Sequence, residues 1–83
     1  MTARLSVAAL LQRHAEWSLD QADPTTVRDL PTSQRERHLE IAREIARVLT
    51  LAYGNDCDEA AEAAGWIKAG ADWREAALRA GER

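Results

Sequence analysis

Ser33 to Tyr53 read SQRERHLEIAREIARVLTLAY, and the pattern of apolar residues in this stretch decides the fold class. At 100° per residue His38, Ile41, Ala42, Ile45, Ala46, Val48, Leu49, Ala52 and Tyr53 gather on one half of a helical cylinder. Glu36, Arg37, Glu40, Arg43, Glu44, Arg47 and Thr50 take the other half, with Leu51 alone on the wrong side. An apolar arc of roughly 180° is wider than the ~100° stripe of an ordinary surface helix, so more than one other element must pack against it. Ser33 and Glu36 stand at capping-box spacing, and Gly54 is expected to stop the helix in a left-handed conformation.

Working outward, the same reasoning yields helices on both sides. Ser6, preceded by Leu5, is expected to cap a first helix running to about Ala22, with Val7, Leu10, Leu11, His14, Trp17 and Ser18 inward and Gln12, Arg13, Glu16 and Asp20 outward. Asp23-Pro24 ends it or starts a short turn, because Asp caps well and Pro suits a first helical position. Residues 23–32 form the connector, pinned by Val27 and Leu30. Asp56 with Glu59, and Asp72 with Glu75, repeat the capping-box spacing. They predict a third helix over 56–69 and a fourth over 73–80, with Gly65 and Gly70 as breaks between them. No alternating run predicts a strand. The expectation is a single all-α domain, residues 1–83, built as a compact bundle of about four helices at 6–22, 33–53, 56–69 and 73–80.

Eighty-three residues bury only about 60% of the surface that the unfolded chain exposes, so stability is modest and self-association into a homodimer is a live expectation. Seventeen alanines, three tryptophans, one tyrosine and no phenylalanine mean that close helix contact must replace bulky filling. The net charge of −3 is uneven: about −1 over residues 1–30, +1 over 31–54 and −3 over 55–83. An acidic C-terminal third argues against phosphate-backbone binding. The lone Cys57 forms no intramolecular disulfide, the apolar run Val7–Leu11 is too short for a signal-peptide core, and no run approaches a membrane span. A soluble, cytoplasmic protein is expected.

The candidate chemical motifs are weak on their own terms. His14 and His38 fall on apolar faces, but two histidines do not complete a zinc site, and Cys57 stands at no ligand spacing from either, so both read as packing residues. Asn55-Asp56-Cys57-Asp58-Glu59 opens like a calcium loop, yet its sixth position is Ala61 and its twelfth would be Ile67. These carboxylates suit a helix N-terminus instead. Ala61-x-x-x-Gly65 matches a helix-turn-helix corner, with Asp72–Ala80 as recognition helix, but that helix offers only Arg74 and Arg79. No nucleophile motif or phosphate loop is present. The expectation is therefore no enzyme, no cofactor and no metal.

On a wheel for the third helix Ala60, Ala63, Ala64 and Ile67 form the inward stripe, and Trp66 falls outside it beside Glu59 and Glu62. An exposed tryptophan ringed by acids fits a basic protein surface. The alternative is that Gly65 ends the helix and Trp66 folds back as packing. Trp73 lines up with Ala76, Ala77 and Ala80 and reads as core. The partner-facing residues expected are Trp66, Glu59, Glu62, Asp58 and Asp56.

The entry Leu30-Pro31 followed by Arg35-Glu36, in LPTSQRERHLEIAREIARVL, is similar to that of small helical phage and bacterial proteins, and resembles part of the ryanodine-receptor-type repeat domain. The resemblance covers about a quarter of the chain and carries over no functional residue. It implies a compact acidic phage or mobile-element product, of which anti-CRISPR proteins are one group. By that resemblance, the protein is an inhibitor that occupies a host protein surface without chemistry. The alternatives are a helix-turn-helix DNA-binding regulator and a structural homodimer.

Overall fold

A computed structural model describes residues 3–54 and 58–81. These residues are all-helical and form three helices rather than four: α1 (Ala3–Ala22), α2 (Thr32–Val48), continued by a π turn (Leu49–Tyr53), and α3 (Asp58–Gly81). Asp56 and Cys57 lie outside the described residues. The molecule measures 45 × 18 × 16 Å, the proportions of aligned helices. Contacts fix the directions. Arg43 meets Asp72 and Glu75 while Thr50 and Leu51 share a groove with Ala61, Ala64 and Gly65, so α2 and α3 run antiparallel; Leu19 lies against Gly70 and Asp23 against Arg74, so α1 and α3 run parallel.

Alanine makes this packing possible. Among the described residues fourteen hydrophobic side chains are buried, nine of them alanine, and the large ones fully enclosed are Leu39, Leu49 and Ile67. Small residues let the helix axes approach closely, so dense packing comes from backbone proximity more than from bulk. This explains the error in the α1 face. Its buried seam is Ala8, Ala15, Ser18, Leu19 and Ala22, whereas Val7, Leu10 and Trp17 are exposed at 44%, 63% and 50%, and His14 is exposed too. The bulky residues stand beside the seam because they would hold the helices apart. α1 begins at Ala3, so Ser6 falls inside the helix rather than at the N-terminal boundary expected for it.

The central helix keeps its broad buried arc through Ala42, Ile45, Ala46 and Leu49, and Leu51 is 71% exposed. The arc also includes Leu39 and Arg35, which the wheel did not place inside. Arg35 is buried because it holds the connector: its Nε donates to the Leu30 carbonyl at 2.9 Å and its Nη2 to the Val27 carbonyl at 2.6 Å. Asp23 organises the other end of that connector, accepting from the Thr25 hydroxyl at 2.7 Å and the Thr25 amide at 2.9 Å.

Two further expected helix ends differ. Pro31, not Ser33, precedes α2, and no side chain caps it; the Pro31 carbonyl accepts from the Gln34 and Arg35 amides. Gly54 is right-handed, with φ −60°. Its lack of a side chain serves a tight approach, since a Cβ there would stand 2.5 Å from the Thr50 carbonyl oxygen. The widened turn before it coincides with the Thr50 hydroxyl donating back to the Ala46 carbonyl at 3.0 Å, a contact that bends helices.

The expected third and fourth helices are one. Asp72 and Glu75 do not cap a new helix: both accept from Arg43 Nη2, at 2.8 and 2.9 Å, tying α3 to α2. The Arg43 pKa is raised, first by the hydrogen bond it donates to Asp72 and against partial burial. Gly65 and Gly70 cost helix propensity but do not interrupt the backbone ladder, which tertiary contacts sustain.

Candidate interaction groove

Continuity of α3 sets the position of its tryptophans. The helical phase runs through Ala60, Ala63, Ala64, Ile67, Gly70 and Ala71, all buried, and places Trp66 and Trp73 together on the flank of that stripe. A heptad separates them, about 10.5 Å along the axis. Trp66 is 42% exposed and Trp73 56% exposed, so Trp73 is not core. The error came from restarting the wheel at a fourth helix; carried through from Ile67, the core phase leads to Ala71 and the partly buried Leu78 instead.

Both indoles line one groove, of about 360 Å³, between α1 and α3. Leu19 and Gly70 make its floor; a Cβ on Gly70 would stand 3.2 Å from Leu19 Cδ1, so glycine sets how close the helices come. Glu16 and Asp20 of α1 form the opposite wall. At the far end Arg74 lies over the Trp73 ring, its Cζ 4.4 Å from the centroid, while Nη1 donates to the Gly70 carbonyl at 3.1 Å and Nη2 stands 3.9 Å from Asp23 Oδ2.

Of the partner-facing residues read from the sequence, Trp66 lies in this groove, and Glu59, Glu62 and Asp58 are exposed toward the start of the same helix. Asp56 falls outside the described residues. Sequence reasoning missed Trp73, Glu16, Asp20 and Arg74. The available signal was the shared seven-residue spacing of Trp66 with Trp73 and of Glu16 with Asp23.

The remaining candidates resolve differently. His14 stacks on Trp17, ring centroids 5.7 Å apart, and Trp17 meets His38 edge-on at 5.1 Å, so one indole lies between the two histidines. Among the described residues no three His, Cys, Asp or Glu side chains are grouped to hold a metal ion. The helix-turn-helix corner is not formed, since Ala61 to Asp72 is uninterrupted helix. A second groove, about 490 Å³, runs between α2 and α3 past Leu51 and Gly65, but two of its cations, Arg43 and Arg47, already pair with Asp72 and Glu75 and with Glu44. Among the described residues no helix is long and apolar enough to cross a membrane. Comparison with known proteins finds no matching family model, no matching curated protein and no matching solved structure.

Proposed function

We propose that the protein is a non-enzymatic binding module that docks another protein through the α1/α3 groove. One observation carries this reading: a chain with an alanine-built core places all three of its tryptophans 42% or more exposed, and two of them share a groove. Tryptophan is the residue from which a small domain gains most by burial, so exposing a pair costs stability that binding recovers. Trp66 and Trp73 act as anchors, and the neighbouring acids favour a partner with a basic surface. Glu59 and Glu62, exposed on the approach to Trp66, steer that partner and act chiefly on the association rate. Residues 30–49 are similar to small helical phage and bacterial proteins, and occupation of a host protein surface, as by the anti-CRISPR group of phage products, is one biological setting for such a module.

The test compares capture from source-cell lysate by the parent chain and by Trp66→Ala, Trp73→Ala and Trp17→Ala, each first shown to be folded by circular dichroism. A partner kept by the parent and Trp17→Ala but lost by the two groove variants supports the reading. Truncating an anchor weakens binding by ~2 kcal/mol or more. Equal capture by all four chains refutes it, as does salt-dependent retention of duplex DNA in place of protein.

A further inference from the structure

The groove repeats itself along its length. In its far half an indole of α3, Trp73, and the carboxylate of Asp23, the first residue after α1, flank the Arg74 guanidinium. Seven residues earlier on both helices stand Trp66 and Glu16, with Asp20 between the two carboxylate positions. Because α1 and α3 run parallel, a shift of one heptad moves both walls together by about 10.5 Å. The near half of the groove therefore presents the same residue types, an indole on one wall and carboxylates on the other, with one difference. The position seven residues before Arg74 is Ile67, which is wholly buried, so that position supplies no cation to Trp66.

Charge points the same way. Arg74 is engaged by Trp73, the Gly70 carbonyl and Asp23. Glu16 and Asp20 have no ion-pair partner among the described residues, and they line the same groove as the Trp66 indole, where a cation would meet carboxylates and an aromatic face together. Arginine suits such a seat better than lysine, since its planar head stacks on an indole while its edge donates to a carboxylate.

We infer that the near half of the groove seats an arginine side chain of the partner protein, its guanidinium held by Trp66 and by the Glu16 and Asp20 carboxylates as Arg74 is held by Trp73 and Asp23. This deepens the protein-binding reading and rests on it. The seat fixes one anchor of the interface and a requirement for positive charge, and accounts for a tryptophan that the core does not enclose.

The experiment titrates the full chain with a short arginine peptide and with its citrulline counterpart, which keeps the shape and loses the charge, following the three indole N–H resonances by NMR. The arginine peptide should shift the Trp66 resonance saturably and leave Trp17 in place; citrulline should leave all three. Glu16→Gln combined with Asp20→Asn should weaken the arginine titration at least fivefold, a pair of exposed substitutions that leaves the fold intact. Equal shifts from citrulline, a response confined to Trp17, or an unaltered titration in the double variant would overturn the inference. So would a lysine peptide binding more tightly than arginine. If lysate capture depends on Trp66 while the arginine peptide leaves its resonance unmoved, the arginine seat fails and the docking reading stands. If capture is independent of Trp66, the docking reading itself has failed.

Discussion

Replacing Gly65 by alanine should make the protein more stable, by an amount that separates one long α3 from two short helices. Gly65 lies inside α3, is exposed, and has open space where a Cβ would be, with nothing within 4 Å. Glycine in a helix interior is about 0.8–1.0 kcal/mol less favourable than alanine, mainly through the backbone freedom it loses on folding. With no steric term to offset it, Gly65→Ala should recover nearly all of that. For a domain of this size ~1 kcal/mol raises Tm by about 4–8 °C. Gly70 supplies the internal control. It has the same propensity to recover, but its new Cβ would meet Arg74 Nη1 at 3.1 Å and Leu19 Cδ1 at 3.2 Å, and Leu19 is itself buried. Overpacking of that kind costs about 1–3 kcal/mol, so Gly70→Ala should be neutral or destabilising and in any case at least ~1 kcal/mol below Gly65→Ala. Thermal and urea melts of both variants, followed by far-UV circular dichroism, measure the difference. If Gly65→Ala leaves Tm unchanged or lowers it, Gly65 is not in a helix interior and α3 is broken there.

Ile45→Asp places an unpartnered carboxylate in the buried arc of α2 and should exceed the ~5 kcal/mol margin of a small domain, while Glu40→Ala on the exposed face should stay within about 0.5 kcal/mol. A cooperative melt for Ile45→Asp near the parent Tm would contradict the packing described. Arg35→Ala removes two charge-assisted hydrogen bonds to connector carbonyls and should cost about 2–4 kcal/mol in urea denaturation, with Arg35→Lys recovering only part because a point charge cannot span both acceptors; full stability of the alanine variant would show that the connector is held otherwise. The Asp23 carboxyl is held below its ordinary value of 3.8, first by the Thr25 hydroxyl and then by the Thr25 amide. A depressed carboxylate contributes stability that is present above its unfolded pKa and is lost as pH falls through the lower folded one. The acid limb of the stability curve should therefore steepen below about pH 3.8, and Asp23→Asn, which keeps the acceptor oxygen but not the titration, should flatten it; identical acid limbs would remove Asp23 from the account.

Helical periodicity alone was enough to determine that the chain is all-α, that residues around Ile45 and Leu49 form the broadest buried face, and that Ala60, Ala63, Ala64 and Ile67 point inward. These are properties of neighbours three and four residues apart, and a helix expresses them wherever it packs. Helix ends were less legible. The spacing of Asp72 and Glu75 is that of a capping box, and it is also the spacing at which two carboxylates on one helix face grip a single arginine; only the approach of Arg43, from a position twenty-nine residues away in the chain, decides between them. The faces of α1 and of the second half of α3 were misjudged for a related reason. Size marks the inside of a helix when cores are filled by bulk, but here close approach through Ala8, Ala15, Ala22 and Ala71 turns Trp17 and Trp73 outward. The groove followed from that same approach. Trp66 was visible in the sequence as a residue outside the apolar stripe, whereas Glu16 and Asp20 come to face the α3 tryptophans, and Asp23 to meet Arg74, only because α1 and α3 lie parallel and in matching register, which no local pattern specifies.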